Sequence, residues 1–382
     1  MIRKLLMILL ALHVFMPVPA LAQSYANEED SIASNFDIEE DRYPFPDYAM
    51  YLDPHDAKWR GDCVITHMNW DDSILFPGLL GGSPHDHMFS GNSLSNYAST
   101  FSSLRTTGNG SCTGKRLNRS SYWFPVFHKS ESVAVIPTGT SLYYATIQPN
   151  TVRLPRGLQM IGGRKPGDPD FYDDPPGVVF PPGTPRYDGF RSYQCALSGV
   201  QSTDLSVINC AAGDTLVVNI DFPHCWNGTD LTSANGRDHV TYGEYGTNVC
   251  PSSHPYPIVS ITQKIYYEHD GPSDYENWWL SSDRMSEDPE EWEANGSTIH
   301  ADYREAWDDE ARALFEHFCN GISYGEVTGV GHGCNSPNTG GPYLFENDTV
   351  GLSGGEMAAA VRPTDDDNEF NGARLRARLR RR

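Results

Sequence analysis

Short, turn-bounded apolar runs dominate the middle of the chain. Ser132–Pro137, Ser141–Ile147, Thr215–Phe222 and Pro257–Tyr267 each fit a single strand, and the second and last alternate or are β-branched, as half-buried strands are. One segment departs from this pattern. From Asp302 to Cys319, the residues Ala306, Trp307, Ala311, Leu314, Phe315 and Phe318 recur at helical spacing, and Asn320-Gly321 supplies a stop. Asp302 then reads as the helix cap. Asp288–Trp292 predicts a short helical turn, and Gly162–Gly189, dense in Pro, Gly and Asp, predicts one long surface loop. The pattern therefore predicts a mainly β fold: a sandwich or jelly-roll-like single domain with long loops, disulfides and one C-terminal helix.

The ends of the chain read differently. Residues 1–22 carry a secretory pattern: Arg3 and Lys4, an apolar run from Leu5 to Val14, then the small-residue site Ala20-Leu21-Ala22. The mature chain is expected to start at Gln23, in an extracellular or periplasmic location. Residues 23–47 read as a disordered acidic leader, 48–345 as the β-rich body, and 346–382 as a disordered tail with an arginine-rich end. No segment of the mature chain is long and apolar enough for a spanning helix.

Composition narrows the partners. Of 382 residues, 35 are Gly and 27 Pro, which suits a loop-rich β protein. The formal net charge of −22 argues against nucleic acid, whose binders concentrate positive charge. The cysteines, Cys63, Cys112, Cys195, Cys210, Cys225, Cys250, Cys319 and Cys334, form no CxxC pair, and in an exported chain they read as disulfides. About 105 pairings are open to eight cysteines. Short loops favour Cys195–Cys210, Cys225–Cys250 and Cys319–Cys334, which leaves Cys63 with Cys112.

Two clusters hold candidate chemistry. In an extended His85-Asp86-His87, both imidazoles project from one face while Asp86 points away. At that spacing they can share a metal, or one can orient while the other moves a proton; two histidines hydrogen-bonded beneath a loop is the structural alternative. In Arg237-Asp238-His239-Val240-Thr241-Tyr242, Arg237 can neutralise a carboxylate or phosphate while His239 or Tyr242 handles a proton. His300, beside Asp302, is a further metal-ligand candidate, and Trp123 and Trp226 are aromatics that either stack on sugar or pack inside. His254 reads as pinning a turn. Serine-hydrolase, zincin, phosphate-loop and dinucleotide signatures are absent from the sequence.

The order of motifs resembles the domain-of-unknown-function 1996 family of secreted fungal and bacterial proteins. It runs through Trp70-Asp71-Asp72, His85-Asp86-His87-Met88-Phe89-Ser90-Gly91, Ser121-Tyr122-Trp123-Phe124-Pro125 and Pro155-Arg156-Gly157. It continues through Phe222-Pro223-His224-Cys225-Trp226, Arg237-Asp238-His239, Cys250-Pro251 and His300-Ala301-Asp302-Tyr303. Asn227, Ala301 and Tyr303 depart from the pattern, where Asp, Gly and Phe are usual. The resemblance implies an extracellular or envelope setting, and by association a polysaccharide or cell-envelope glycan as partner. It also implies that His85, His87, His239 and His300 belong to one site.

Three functions follow. The first is a secreted carbohydrate-active protein, a lyase-like polysaccharide-cleaving enzyme with a cleft of His85, His87, Arg237, His239 and Tyr242. The second is a glycan-binding envelope protein without turnover. The third is a metal centre in which His85, His87, His239 and His300 take a divalent ion. The sequence leaves catalysis and binding both open.

Overall fold

The computed structural model describes residues 58–148, 151–168, 190–244, 247–268 and 274–309, together with 179, 181, 311, 312, 316, 356–358 and 362. The expected signal peptide, acidic leader, arginine-rich end and Cys319–Cys334 pairing lie outside the described residues.

The fold is mainly β and antiparallel. One sheet of six strands runs in the order β1 (Lys58–Cys63), β7 (Gly139–Ala145), β15 (Ser260–Glu268), β11 (Thr215–Asp221), β9 (Arg191–Cys195) and β10 (Gln201–Ser202). A second sheet of five runs β2 (Ile65–Asn69), β3 (His87–Gly91), β4 (Ser121–Pro125), β17 (His300–Arg304) and β8 (Gln159–Gly163). Smaller sheets join β12 (Cys225–Trp226) to β13 (Val240–Thr241) and β14 (Tyr256–Pro257), and β5 (Phe127–Ser130) to β6 (Val133–Val135), β16 (Trp279–Leu280) and β18 (Glu356–Ala358).

The two large sheets share one core, as in a sandwich. Leu142 and Tyr144 of β7, Val218 and Ile220 of β11, and Ile261 and Ile265 of β15 pack in one cluster with Met88, Tyr122, Phe124, Met160 and Tyr303 of the five-stranded sheet. The buried hydroxyls of Tyr122 and Tyr144 hydrogen-bond to one another within it. The period of two then decides what the outer face of the five-stranded sheet carries. Because Met88, Ala301 and Tyr303 enter the core, His87, Phe89, His300, Asp302 and Arg304 face the other way. That face is covered by the segment 70–86, whose Ile74 packs with Phe89, Trp123 and Ile161 in a separate apolar cluster.

Several expectations meet the structure here. Strands form in all four apolar runs, and Pro289–Glu291 is a short 3-10 turn. Cys63–Cys112, Cys195–Cys210 and Cys225–Cys250 are bonded. The C-terminal helix does not begin at Asp302. His300–Arg304 is a strand, alternating Ala301 and Tyr303 inward against His300, Asp302 and Arg304 outward. The helical residues described are Asp309, Ala311, Arg312 and Glu316. Asp308 caps them: its Oδ1 accepts from Ala311 N–H at 3.1 Å and its carbonyl from Arg312 N–H at 2.9 Å. Gly162 and Gly163, assigned to the long loop, complete β8. Within the stretch read as a tail, Glu356–Ala358 adds β18 to β6. Among the elements the pattern did not foresee is a short helix α1 (Phe101–Thr106), started by reciprocal capping between Thr100 and Ser103.

Candidate functional site

The site is built from two pairs of residues, each spaced by two. His87 opens β3 and His85 lies two residues before it, so both rings point to the outer face, their centroids 4.3 Å apart. His300 opens β17, two strands away, and its ring stands 5.2 Å from that of His85 and 6.2 Å from that of His87. Each of the three imidazoles offers a nitrogen, and these nitrogens lie within 4.8 Å of one another. Asp302, two residues beyond His300 on the same face, sets its Oδ2 3.9 Å from His300 Nε2. All four side chains are buried.

The surroundings fix which nitrogens face inward. His87 Nδ1 meets the Asp71 carbonyl at 3.1 Å, and His300 Nδ1 meets the Thr298 carbonyl at 2.8 Å. A carbonyl only accepts, so each Nδ1 carries the proton and each Nε2 keeps its lone pair. His87 Nε2 and both nitrogens of His85 have no hydrogen-bond partner. Asp71 is in turn held by Gly81 N–H and Asn69, and Arg304 ties the covering segment to β17 through the Ser73 carbonyl at 2.9 Å. Asp86 points to the opposite side, as an extended His-x-His requires, and its Oδ1 meets His128 Nε2 at 3.0 Å.

Electrostatics keep the three rings uncharged. Burial is the largest cause in each case. It holds His85 well below its ordinary value, with His87 and His300 adding to the effect. It pushes His87 down to about 3, assisted by His300. It pushes His300 down to about 4, against the opposing bond to Thr298. Burial also drives the Asp302 carboxyl well above the usual carboxylate range, with neighbouring Asp72 acting in the same sense.

The second sequence cluster is placed otherwise. Residues 237–239 form a turn rather than a strand, with Val240 N–H bonded to the Arg237 carbonyl. Arg237 donates to Asp168 Oδ2 and, at 2.6 Å, to the Gly163 carbonyl. Tyr242 donates to the Asp221 carbonyl at 2.7 Å and accepts from Gly163 N–H at 3.0 Å. Burial raises its phenol. Gly163 is the register partner of His300, so Arg237 and Tyr242 brace the end of β8 beside the site. His239 is not among the three converging histidines. Its Nε2 meets the Gln159 carbonyl at 2.6 Å and its Nδ1 meets Ser233 Oγ at 3.0 Å, so both nitrogens are engaged. Trp123 and Trp226 are fully buried and offer no sugar platform, Trp123 stacking on Phe89 and Trp226 donating to the Asp230 carbonyl. His254 pins a turn through the Asp238 carbonyl.

The family model described as a domain of unknown function (DUF1996) matches residues 72–307, well over half of the chain. The chain belongs to the DUF1996 family. No curated protein and no solved structure matches significantly. The DUF1996 segment contains His85, His87, His300 and Asp302 as well as Arg237, His239 and Tyr242. It begins just after Asp71, whose carbonyl orients His87. The three disulfides described in and beside the DUF1996 segment suit an oxidising compartment. Among the described residues, no helix is long and apolar enough to cross a membrane.

Asp302 is the residue that sequence reasoning misassigned. Its signal was present: His300-x-Asp302 repeats the spacing of His85-x-His87, and on a strand that spacing places both side chains on one face.

Proposed function

We propose that this protein is a metalloprotein in which His85, His87 and His300 hold one transition-metal ion. The observation that carries the reading is the convergence of three buried imidazole nitrogens within 4.8 Å. The unpartnered lone pairs of His85 and His87 add to it. An unpaired buried ring nitrogen is costly, and metal ligation is one arrangement that satisfies it. The carbonyls of Asp71 and Thr298 serve as the outer partners that orient metal-ligating histidines.

The donor type selects the ion. Neutral imidazole suits zinc, copper, iron or nickel, whereas calcium and magnesium take oxygen donors. A tetrahedral ion with bonds of about 2.0–2.1 Å needs its donors about 3.3 Å apart, and the three nitrogens already lie within 4.8 Å of one another. Such an ion supplies Lewis acidity or electron transfer at a position left open by its protein ligands. The chain itself contributes neutral, oriented rings and a cover of residues 70–86 that limits water.

The glycan-directed enzyme draws on His85 and His87 of the site but also on three groups that are engaged elsewhere. Arg237, His239 and Tyr242, the groups expected to neutralise a uronate and take its proton, are each engaged with protein partners.

The test is metal content by elemental mass spectrometry on oxidised protein, beside a His85→Ala/His87→Ala variant. One ion per chain in the wild type, lost in the variant, is the expected result. No ion in either after incubation with zinc, copper, manganese and calcium overturns the proposal.

A further inference from the structure

We infer that Asp302 is a fourth, anionic ligand, so that the complete donor set is three imidazole nitrogens and one carboxylate oxygen. This deepens the proposed function and rests on it.

The case begins with what the carboxylate lacks. Asp302 is 1 % exposed, and its Oδ2 has no hydrogen-bond partner. Every other buried acid among the described residues has a donor on at least one oxygen, Asp86 and Glu316 on one only. Asp72 accepts from Ile74 and Leu75 N–H. Asp283 accepts from the N–H groups of Leu280, Gly296 and Thr298. Glu305 accepts from Gly157 and Trp307 N–H, and Glu316 from Leu154 N–H. Asp302 has only His300, at 3.9 Å. The nearby cations act on it only at a distance, because Lys165 and Arg237 both pair directly with Asp168. A carboxylate removed from water without donors is strongly disfavoured unless a cation or a proton compensates it.

Its placement supplies the cation. His300 and Asp302 leave β17 on the same face, and Trp123, the register partner of Asp302, fills the face beside it. The Asp302 carboxylate therefore stands against His300 at the β17 edge of the cluster, outside the 4.8 Å grouping of the three nitrogens, and would close on it as the ion binds. Two pairs with the same spacing, on strands separated only by β4, form one donor set. An oxygen donor beside three nitrogens lowers the net charge of a divalent site to one. It also widens the acceptable ions toward manganese and iron(II).

The experiment uses the full, oxidised chain loaded with cobalt(II), whose visible bands report its ligands. Affinity is measured by competition with a chelator for the wild type and for Asp302→Asn, which keeps shape and removes the charge. The expected result is one cobalt per wild-type chain, with affinity at least tenfold weaker and bands altered in the variant. Equal affinity and identical bands overturn the inference while leaving the three-histidine site standing. Absence of cobalt and zinc binding in the wild type overturns both. Should Asp302→Asn not fold, the infrared difference spectrum of the wild type on zinc addition decides. New metal-bound carboxylate bands support the assignment, and their absence overturns it.

Discussion

His87 on β3 is paired in register with Pro125 on β4, the strand that lies between β3 and the β17 that carries His300. Neighbouring strands lie about 4.8 Å apart, so the roots of His87 and His300, with β4 between them, are about 10 Å apart. Their rings meet only if the residue between them is short on that face. Proline, closed back on its own backbone, meets this need.

A longer side chain at that position is expected to separate the donors. Pro125→Leu should weaken metal affinity at least tenfold and cost about 1–3 kcal/mol through overpacking. Chelator competition and urea unfolding on the same sample check both effects. Unchanged affinity would show that the floor at Pro125 has no part in the site.

Ligation in the folded state alone also predicts stabilisation by mass action. At one hundred times its dissociation constant, zinc should add about 2.7 kcal/mol to wild-type stability. The thermal midpoint should rise with added zinc in the wild type and stay constant in His300→Ala. A rise of equal size in that variant would point to binding elsewhere.

Gly91 closes β3 with φ of +89°, and a Cβ there would meet the Ser120 carbonyl at 2.0 Å. Gly91→Ala therefore combines backbone strain with a clash against another main chain, and should cost about 3 kcal/mol or more. Gly213 is the control. Its φ is +78° but nothing lies within 4 Å of the added carbon, so Gly213→Ala should cost only about 1–2 kcal/mol. Urea unfolding of both separates the clash from the strain.

Features with a short sequence period were legible. The alternation of β15 and the His-x-His of residues 85–87 both follow from two residues per strand repeat, and the structure keeps both. Asp302 was misread because Ala306, Trp307 and Ala311 impose a helical period that extends backward over β17, whose strand character is set by pairing with β4 and β8. The chemistry expected at Arg237, His239 and Tyr242 was not decidable locally. Their partners Asp168, Gln159 and Asp221 are fixed only by the tertiary fold, and 69, 80 and 21 residues separate each pair.

Two histidines outside the metal site each contribute to the expected response to acid. Burial pushes His224 and His239 each down to about 4, and their ring nitrogens meet Gly243 N–H and the Gln159 carbonyl as neutral groups. In the unfolded chain both titrate near 6.5. At these two rings, between pH 6.5 and 4, the unfolded state therefore binds more protons than the folded one, and their contribution to stability falls as pH falls. The slope is about 1.4 kcal/mol per pH unit for each ring, which accumulates to about 3 kcal/mol apiece before the folded protein also protonates. Above pH 6.5 neither ring contributes any slope. His224→Gln and His239→Gln should lower stability at pH 7 through lost hydrogen bonds, yet each should flatten the decline between pH 6.5 and 4. Urea unfolding of metal-free protein at pH 7 and pH 4.5 measures the difference. An acid decline as steep in both variants as in the wild type would show that neither ring is held neutral by the fold.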